Sequence, residues 1–485
     1  MLVKNTDITL APDARRVIAR AHVPVSESRV ERIIARVLSL DEASAQRELG
    51  DVRAKFEGRH RGFETLLERQ FEAVRRHLPS DVLPSPDRRL LIGSLFLAEY
   101  AFEAAALFNP AIVPHPDQSG LDPGALRVIL SLRATGEGHI SSLTFRSGTI
   151  AADHAVTIDA PGGHAAAAEL TPSTLYDKAT FARKLREMDV WNDCSRSIIG
   201  SLPDEFALDD LLELTRSYFF VHKPVSQADR ITSDKVLWLA RCNYEARFDQ
   251  SIPLSERVLF PMSPSEQNGI EDARFVLFTH DDGSRSYYAT YTAYDGKAIL
   301  PQLMETGDFR QFKMRTLNGD AAANKGMALF PRKIRGRYAM VSRQDNENLF
   351  LMYSDNIHFW HDSVPLLRPS SPWEFVQIGN CGSPIETEHG WLLLTHGVGP
   401  FRQYAIGAAL LDRDDPSRVL GRLRRPLIRW TEATRSGYVP NVVYTCGALS
   451  HGGMLVVPYA TSDQRCTIAL VPLPALIDRL RRGDG

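Results

Sequence analysis

From Ser26 the apolar residues recur at helical spacing, with Val30, Ile33, Ile34, Val37 and Leu38 on one face and Ser26 or Ser28 placed to cap the helix. Residues 41–57, 61–78 and 88–108 continue that period, punctuated by Pro79, Pro84 and Pro86. Ahead of them, residues 7–24 predict one or two short strands broken at Pro12. A strand followed by a helical unit thus sets a first domain at 1–120. At 125–159 the period becomes that of strands: ALRVILSLRA, a turn with Gly136 and Gly138, then ISSLTFRSGTI. A second helical stretch follows at 172–216, containing FARKLREM and LDDLLELTRSYFF. It makes an insertion at about 165–218 in a second domain spanning 121–480.

Beyond the insertion nearly everything predicts short strands. They are VLWLAR (236–241), RFVLFT (274–279), SYYATYTA (286–293), MALFPRKI (327–334), RYAMVSR (337–343), LFLMYS (349–354), WLLLTHG (391–397), YAIGAALLD (404–412), MLVVPYA (454–460) and CTIALVPL (466–473). Turns such as DDGS, KIRGR and SHGG separate them. Antiparallel strands in this number leave a sandwich, a barrel or a propeller. Roughly four strands per 45–60 residues suits propeller blades, although no tight sequence repeat accompanies the spacing. The predicted class is mainly β.

Composition narrows the function. The 485 residues carry 57 Lys and Arg against 59 Asp and Glu, a net charge of −2, so no global basic field recruits nucleic acid. Cys194, Cys242, Cys381, Cys446 and Cys466 are scattered and never in CxxC spacing, which fits a reducing compartment. Residues 1–10 lack the apolar core of a secretory signal, so a cytoplasmic location is expected. The most apolar stretch, 90–108, carries Glu99 and Glu103 one helical turn apart, which predicts a buried helix of a water-soluble fold and no membrane partner. No Walker loop and no GxGxxG after a strand is present, so no nucleotide cofactor is expected. His358, His361 and Asp362 have helical ligand spacing but fall in a predicted loop, so no metal site is expected either.

Seven segments then add a resemblance. They are GIEDARFV (269–276), TYTAYDG (290–296), NKGMALFPRKIRGRYAMVSRQ (324–344), IGNCGSPIETEHGWLLLTHGVG (378–399), YAIGAALLDRDDPSRVLGR (404–422), GYVPNVVYTCGAL (437–449) and ATSD (460–463). In this order they resemble glycoside hydrolase family 130, the β-mannoside phosphorylases and β-mannosidases, over roughly residues 235–475. The first looks like that family's G-x-E-D-P-R motif. The resemblance implies a five-bladed β-propeller with the active site at its central funnel, here with an N-terminal helical unit and a second helical insertion.

Breaking a glycosidic bond takes a proton for the leaving oxygen and a nucleophile at the anomeric carbon. Asp272 stands where the family places its acid. Burial and substrate are expected to raise its pKa, with Arg274 on the same face opposing the shift. Strand neighbours point to opposite faces, so Glu271 is expected to hold the blade rather than share the chemistry. Lys325, Arg343 and His396 resemble the family's phosphate-binding set, and Tyr404 adds a hydroxyl. Read singly, Lys325 is a solvated turn residue, Arg343 a partner for Asp345 and His396 a core histidine. Arg274, Tyr291, Asp295, Asn380 and Asp463 are the candidate sugar ligands. ATSD, with Asp463, resembles the family's G-A-A-D. Tyr291, Tyr294, Trp360 and Trp373 could stack on sugar faces, and Arg133, His139 and Ser141, flanking GEGHIS, could reach the funnel. Departures from the family pattern are Ala273 for proline, Lys325 where some phosphorylases carry Arg, and SRQ for HRP or SRP.

The expected reaction is inverting phosphorolysis of a β-mannoside or related β-glycoside to an α-sugar 1-phosphate. Inorganic phosphate is co-substrate, a di- or oligosaccharide is the partner, and no cofactor is needed. Two alternatives remain: hydrolysis on the same fold, with Asp345 or Glu347 as base, and a sugar-binding propeller without turnover. The helical stretches are expected to support a homo-oligomer or to wall the funnel.

Overall fold

The computed structural model describes residues 2–171 and 175–483, so residues 172–174 of the predicted helical insertion lie outside the described residues. The chain is mainly β, with two groups of helices. In the first, α1 (Glu27–Leu38), α2 (Glu42–Phe56), α3 (Phe63–Val74) and α4 (Pro86–Ser94) bury one shared core of Val30, Ile34, Leu67, Phe71 and Ile92. Asp41 caps α2 by accepting from the Ser44 amide, and Pro86 opens α4 where its missing N–H costs nothing. Gly93 is required at the α3–α4 crossing, because a Cβ there would stand 2.0 Å from the Leu67 carbonyl oxygen.

The second group comprises α5 (Lys178–Glu187), α6 (Asp193–Gly200), α7 (Leu208–Val221) and α8 (Gln227–Arg241), packed around Phe181, Leu185, Phe206 and Leu239. VLWLAR, expected as a strand, is the last turn and a half of α8. Six residues are too short a window to show the period; Thr232, Val236, Leu239 and Ala240 are buried at helical spacing once the whole segment is considered. A final helix, α9 (Leu473–Arg482), covers the edge strand Val419–Arg422.

The other correction concerns residues 88–108, expected as one helix. The helix stops at Ser94, Leu97–Tyr100 pairs with Ile18–Ala21, and Ala106–Pro114 enters a twelve-stranded sheet beside Leu126–Thr135. Ala106–Pro114 is buried on both faces along almost its whole length, so it shows no alternation and reads as a helix core. The two glutamates go to different places. Glu99 takes Arg59 and His60 near the surface, while Glu103 accepts from Arg16 and Arg146 in a fully buried cluster.

The twelve-stranded sheet contains two antiparallel meanders. The first runs through Ala106–Pro114, Leu126–Thr135, Ser141–Ile150 and Val156–Ile158; the second through Gly269–Thr279, Arg285–Tyr294, Ile299–Thr306 and Gln311–Thr316. They meet at a parallel bridge between Ser141 and Gly269. Three smaller sheets follow, built on Lys325–Leu329, on Gly390–Val398 with Tyr404–Leu411, and on Met454–Thr461 with Arg465–Pro472. The N-terminal strand Lys4–Asn5 joins the last of these. Contacts pass from Ala106–Pro114 to Gly269–Thr279, from Arg285–Tyr294 to Lys325–Leu329, on to Gln377–Asn380, from Tyr404–Leu411 to Val443–Tyr444, and from Met454–Thr461 back to Ala106–Pro114. The sequence of neighbours closes on itself. Among the described residues, no helix is long and apolar enough to cross a membrane.

Candidate functional site

Each of the five strand groups sends side chains into one cavity of about 120 Å³, lined by Asn109, Arg133, Glu271, Asp272, Arg274, Lys325, Arg343, His396, Arg402, Tyr404, Val442, Tyr444 and Asp463. A larger cavity, of about 660 Å³, lies elsewhere. Among the described residues, its charged lining residues are Arg20 and Arg241, with no acid for proton transfer.

Irregular backbone makes the acid cluster possible. Opposite Thr290–Thr292, the register of the Gly269–Thr279 strand slips between Glu271 and Arg274, and Asp272 takes a left-handed φ of 54°. The bulge cancels the expected alternation. Glu271 and Asp272, predicted on opposite faces, both reach Arg133, whose Nη2 donates to Glu271 Oε1 at 2.7 Å and Nη1 to Asp272 Oδ1 at 3.0 Å. A second bulge, between Phe108 and Ala111, sets Asn109 at φ 47° and lets its Nδ2 donate to the same Asp272 oxygen at 2.7 Å. Arg133 is held in turn by Ser141 Oγ and lies over the Phe108 ring. Arg274 makes no side-chain ion pair with Asp272. Its Nη1 donates to the Asp272 backbone carbonyl and its Nη2 to the Tyr444 hydroxyl.

The charge state of Asp272 also departs from expectation. Burial does push its carboxyl up, but the charges of Arg133, Arg274 and Lys325, with the Asn109 hydrogen bond, outweigh burial and hold it well below the usual carboxylate range. Asp463 behaves in the opposite way: burial pushes it up to about 7, against the pull of Arg133 and with the help of the Asp272 charge.

On the other side of the cavity Lys325 and Arg343 sit opposite one another across paired strands. Arg343 is buried, and its Nη1 lies 3.4 Å from His396 Nε2, while His396 Nδ1 lies 3.1 Å from the Asn380 carbonyl oxygen. A carbonyl only accepts and a guanidinium only donates. The proton must therefore be on Nδ1 and the lone pair on Nε2, which defines a neutral imidazole. Burial and the Arg343 and Arg274 charges drive the His396 pKa well below 6.5 in agreement. Thus His396, expected as a donor, accepts from Arg343 and orients it. Gly379 makes room for this ring: a Cβ there would come within 2.2 Å of His396 Cε1. Tyr404 stacks on the same ring, 5.7 Å between centroids.

The cavity therefore brings together Asp272, Arg274, Lys325, Arg343, His396, Tyr404 and Asp463 of the predicted set. Three predicted sugar ligands stay out. Tyr291 donates to buried Glu266, Asp295 caps its own turn through the Lys297 and Ala298 amides, and Asn380 accepts His396 on its carbonyl and is bonded to the Gly326 carbonyl through its side chain. Trp360 is wholly buried, and Trp373 donates to the Arg424 carbonyl. Asp345 and Glu347 lie in an exposed turn that Asp345 caps, remote from the role of base and making no ion pair with Arg343 among the described residues. The sequence reading missed Asn109, Arg402 and Tyr444. Asn109 had a local signal in Asn-Pro, a turn-forming pair inside an apolar run.

Five cations and three carboxylates line the cavity, a surplus of at least two positive charges (5 − 3) with His396 neutral and Asp463 only partly ionised near pH 7. Arg133 is used by the acids and Arg274 by Tyr444. Among the described residues, Lys325, Arg343 and Arg402 form no ion pair, which leaves three cationic side chains in the cavity beside the acid pair.

The glycoside hydrolase family 130 description, beta-1,4-mannooligosaccharide phosphorylase, matches residues 250–482. A 1,2-beta-oligomannan phosphorylase of Thermoanaerobacter sp. (strain X514) is 30% identical over 249 residues, covering 49% of this chain and 80% of the relative. A beta-1,2-mannobiose phosphorylase of the same organism is 33% identical over 233 residues, or 47% and 73% of the two chains. Among solved structures, the beta-1,2-mannobiose phosphorylase of Listeria innocua aligns over 78% of this chain and 92% of its own at 19% identity, with a TM-score of 0.47.

Proposed function

The chain belongs to glycoside hydrolase family 130, and from that membership we propose that it is an inverting β-mannoside phosphorylase. The named activities of its relatives support the substrate class. The observation that carries phosphorolysis is the surplus of cations around Lys325, Arg343 and Arg402, facing Asp272 across the same cavity. A hydrolase needs a carboxylate to activate water; an anion-holding wall serves phosphate instead.

In this reading, inorganic phosphate lies against Lys325 and Arg343, with Arg343 aimed by the neutral His396 and with the Tyr404 hydroxyl beside it. Its negative charge offsets the field that keeps Asp272 ionised, so Asp272 can hold a proton for the bridging oxygen of the mannoside. A phosphate oxygen attacks the anomeric carbon from the opposite face, the C–O bond to the leaving sugar breaks, and that oxygen takes the proton. The products are an α-sugar 1-phosphate and a sugar shortened by one unit. Asp463, half-protonated near pH 7, accepts or donates hydrogen bonds to sugar hydroxyls without adding a further full negative charge beside Glu271 and Asp272.

The closing series of neighbouring sheets supports a five-bladed propeller in which Lys4–Asn5 completes the last blade and the cavity is the central funnel. The five cysteines are free and buried, in keeping with a reducing, cytoplasmic setting. The helical groups are proposed to wall the funnel or join copies of the chain. Incubation with β-1,2- and β-1,4-mannobiose, with and without phosphate, tests the reaction: sugar 1-phosphate should form only with phosphate. Equal release of mannose in both would overturn phosphorolysis.

A further inference from the structure

The strands that carry His396 and Tyr404 are joined by a turn at 399–403, in which two consecutive residues other than glycine, Phe401 (φ 53°) and Arg402 (φ 55°), hold left-handed backbone. L side chains disfavour that region, and two in succession must be held there by the surrounding structure. The turn sorts their side chains. Both are exposed, but Arg402 lines the cavity, whereas Phe401, beside it in the turn, is 92% exposed and lies outside the lining. The Val376 amide bonds to the Val398 carbonyl, which puts exposed Phe375 and Val376 along the same strand end. An apolar rim therefore continues outward from the cation-lined wall.

The cavity is small. About 120 Å³ is well below the roughly 300 Å³ of sites that enclose a whole ligand, so a disaccharide must leave one ring outside. We propose that Phe401 is the stacking platform for that ring, the leaving-group sugar of phosphorolysis and the acceptor in the reverse reaction, with Arg402 hydrogen-bonding its hydroxyls. The row of C–H groups on one face of a pyranose is apolar and matches an exposed aromatic ring. This assignment rests on the phosphorylase reading and makes Phe401 a determinant of acceptor choice.

Phe401→Ala, Phe401→Gly and Phe401→Trp test it. Loss of the ring in the Ala and Gly variants should raise KM for the acceptor sugar roughly fivefold, leave KM for phosphate within about twofold, and be reversed in F401W. The glycine variant separates recognition from folding, because it relieves the left-handed strain and should melt no lower than the parent while binding acceptor worse. Unchanged acceptor KM in both Ala and Gly variants would overturn the proposal. So would an altered association state with unchanged KM, which would make the rim an interface between copies. If the parent shows no phosphate-dependent turnover, the phosphorylase reading fails by itself. Calorimetric binding of mannobiose to the parent and to F401G then decides the platform: equal affinities refute it, and weaker binding to F401G supports it.

Discussion

Replacing Asp463 with asparagine should stabilise the protein, and more so as the pH rises. The Asp463 carboxyl is pushed up to about 7 from an ordinary 3.8, chiefly by burial and by the Asp272 charge. A carboxylate with a raised folded pKa costs nothing below its unfolded value, where both states are protonated. From pH 3.8 to 7 the folded state binds the extra proton, so stability falls as pH rises, and above 7 the penalty is constant. Roughly 3 units at 1.36 kcal/mol each give a full penalty of about 4 kcal/mol. Of this, about 1.5 kcal/mol is already present at pH 5, leaving about 2.5 kcal/mol to develop by pH 8. Asparagine keeps the shape and cannot ionise. The stability gained by D463N should therefore be larger at pH 8 than at pH 5 by about 1–3 kcal/mol, allowing for relaxation around the new charge. Urea unfolding of both proteins, followed by tryptophan fluorescence in phosphate-free buffer at the two pH values, measures this. Other titrating groups are common to both proteins and cancel in the difference. A gain that is the same at pH 5 and pH 8 would refute the argument, since Asp463 would then carry an ordinary pKa.

Asp272→Asn should reduce phosphorolysis by at least about 10³-fold while phosphate still protects the protein thermally; retention of normal turnover would remove Asp272 from the chemistry. Arg343→Met removes a buried charged donor and should raise KM for phosphate on the order of 10–100-fold, with a much smaller change for the sugar, read from initial rates at varied phosphate. Gly379→Ala places a methyl where the His396 ring lies, so the imidazole must move and Arg343 loses its acceptor. Activity at low phosphate should drop about tenfold or more, while saturating phosphate recovers part of it. Arg133→Met leaves Glu271 and Asp272 without their shared cation, and should destabilise the fold by about 3 kcal/mol in chemical denaturation at neutral pH.

Much of the β region was legible because its strands show one polar and one buried face, or a short apolar run bounded by Gly and Asp. Gly390–Val398 and Met454–Thr461 are examples. Where the reading failed, a local pattern was overridden by burial. Ala106–Pro114 is apolar on both faces because sheets pack on both sides of it, and periodicity cannot distinguish that from a helix core. Ile299–Thr306 and Gln311–Thr316 show no clear strand pattern because Pro301 and charged residues interrupt them, yet they complete the second meander. At the site, resemblance identified the cations and the acid but not their arrangement. Asn380 was expected on the sugar and instead holds the histidine, a role that needs its backbone carbonyl and that no side-chain inventory reveals.

The arrangement comes from backbone that breaks the rules by which strands are read. Four of the lining residues, Asn109, Asp272, Arg402 and Asp463, have left-handed φ of 45–55°, and none is glycine. A regular strand alternates its side chains and would send Glu271 away from Asp272. A bulge lets adjacent acids reach one arginine, and a tight turn lets Arg402 line the cavity while Phe401 stays outside it. Each such residue costs on the order of 1 kcal/mol, which the surrounding sheets must offset. The site is therefore kept at the expense of local stability, and substituting glycine at these positions should lose function without losing the fold. Asp463→Gly would relieve backbone strain and remove a carboxylate whose ionisation burial opposes. An inactive protein that melts at or above the parent temperature is expected, and a fall of several degrees would show that the side chain, not the sheets, holds this backbone in place.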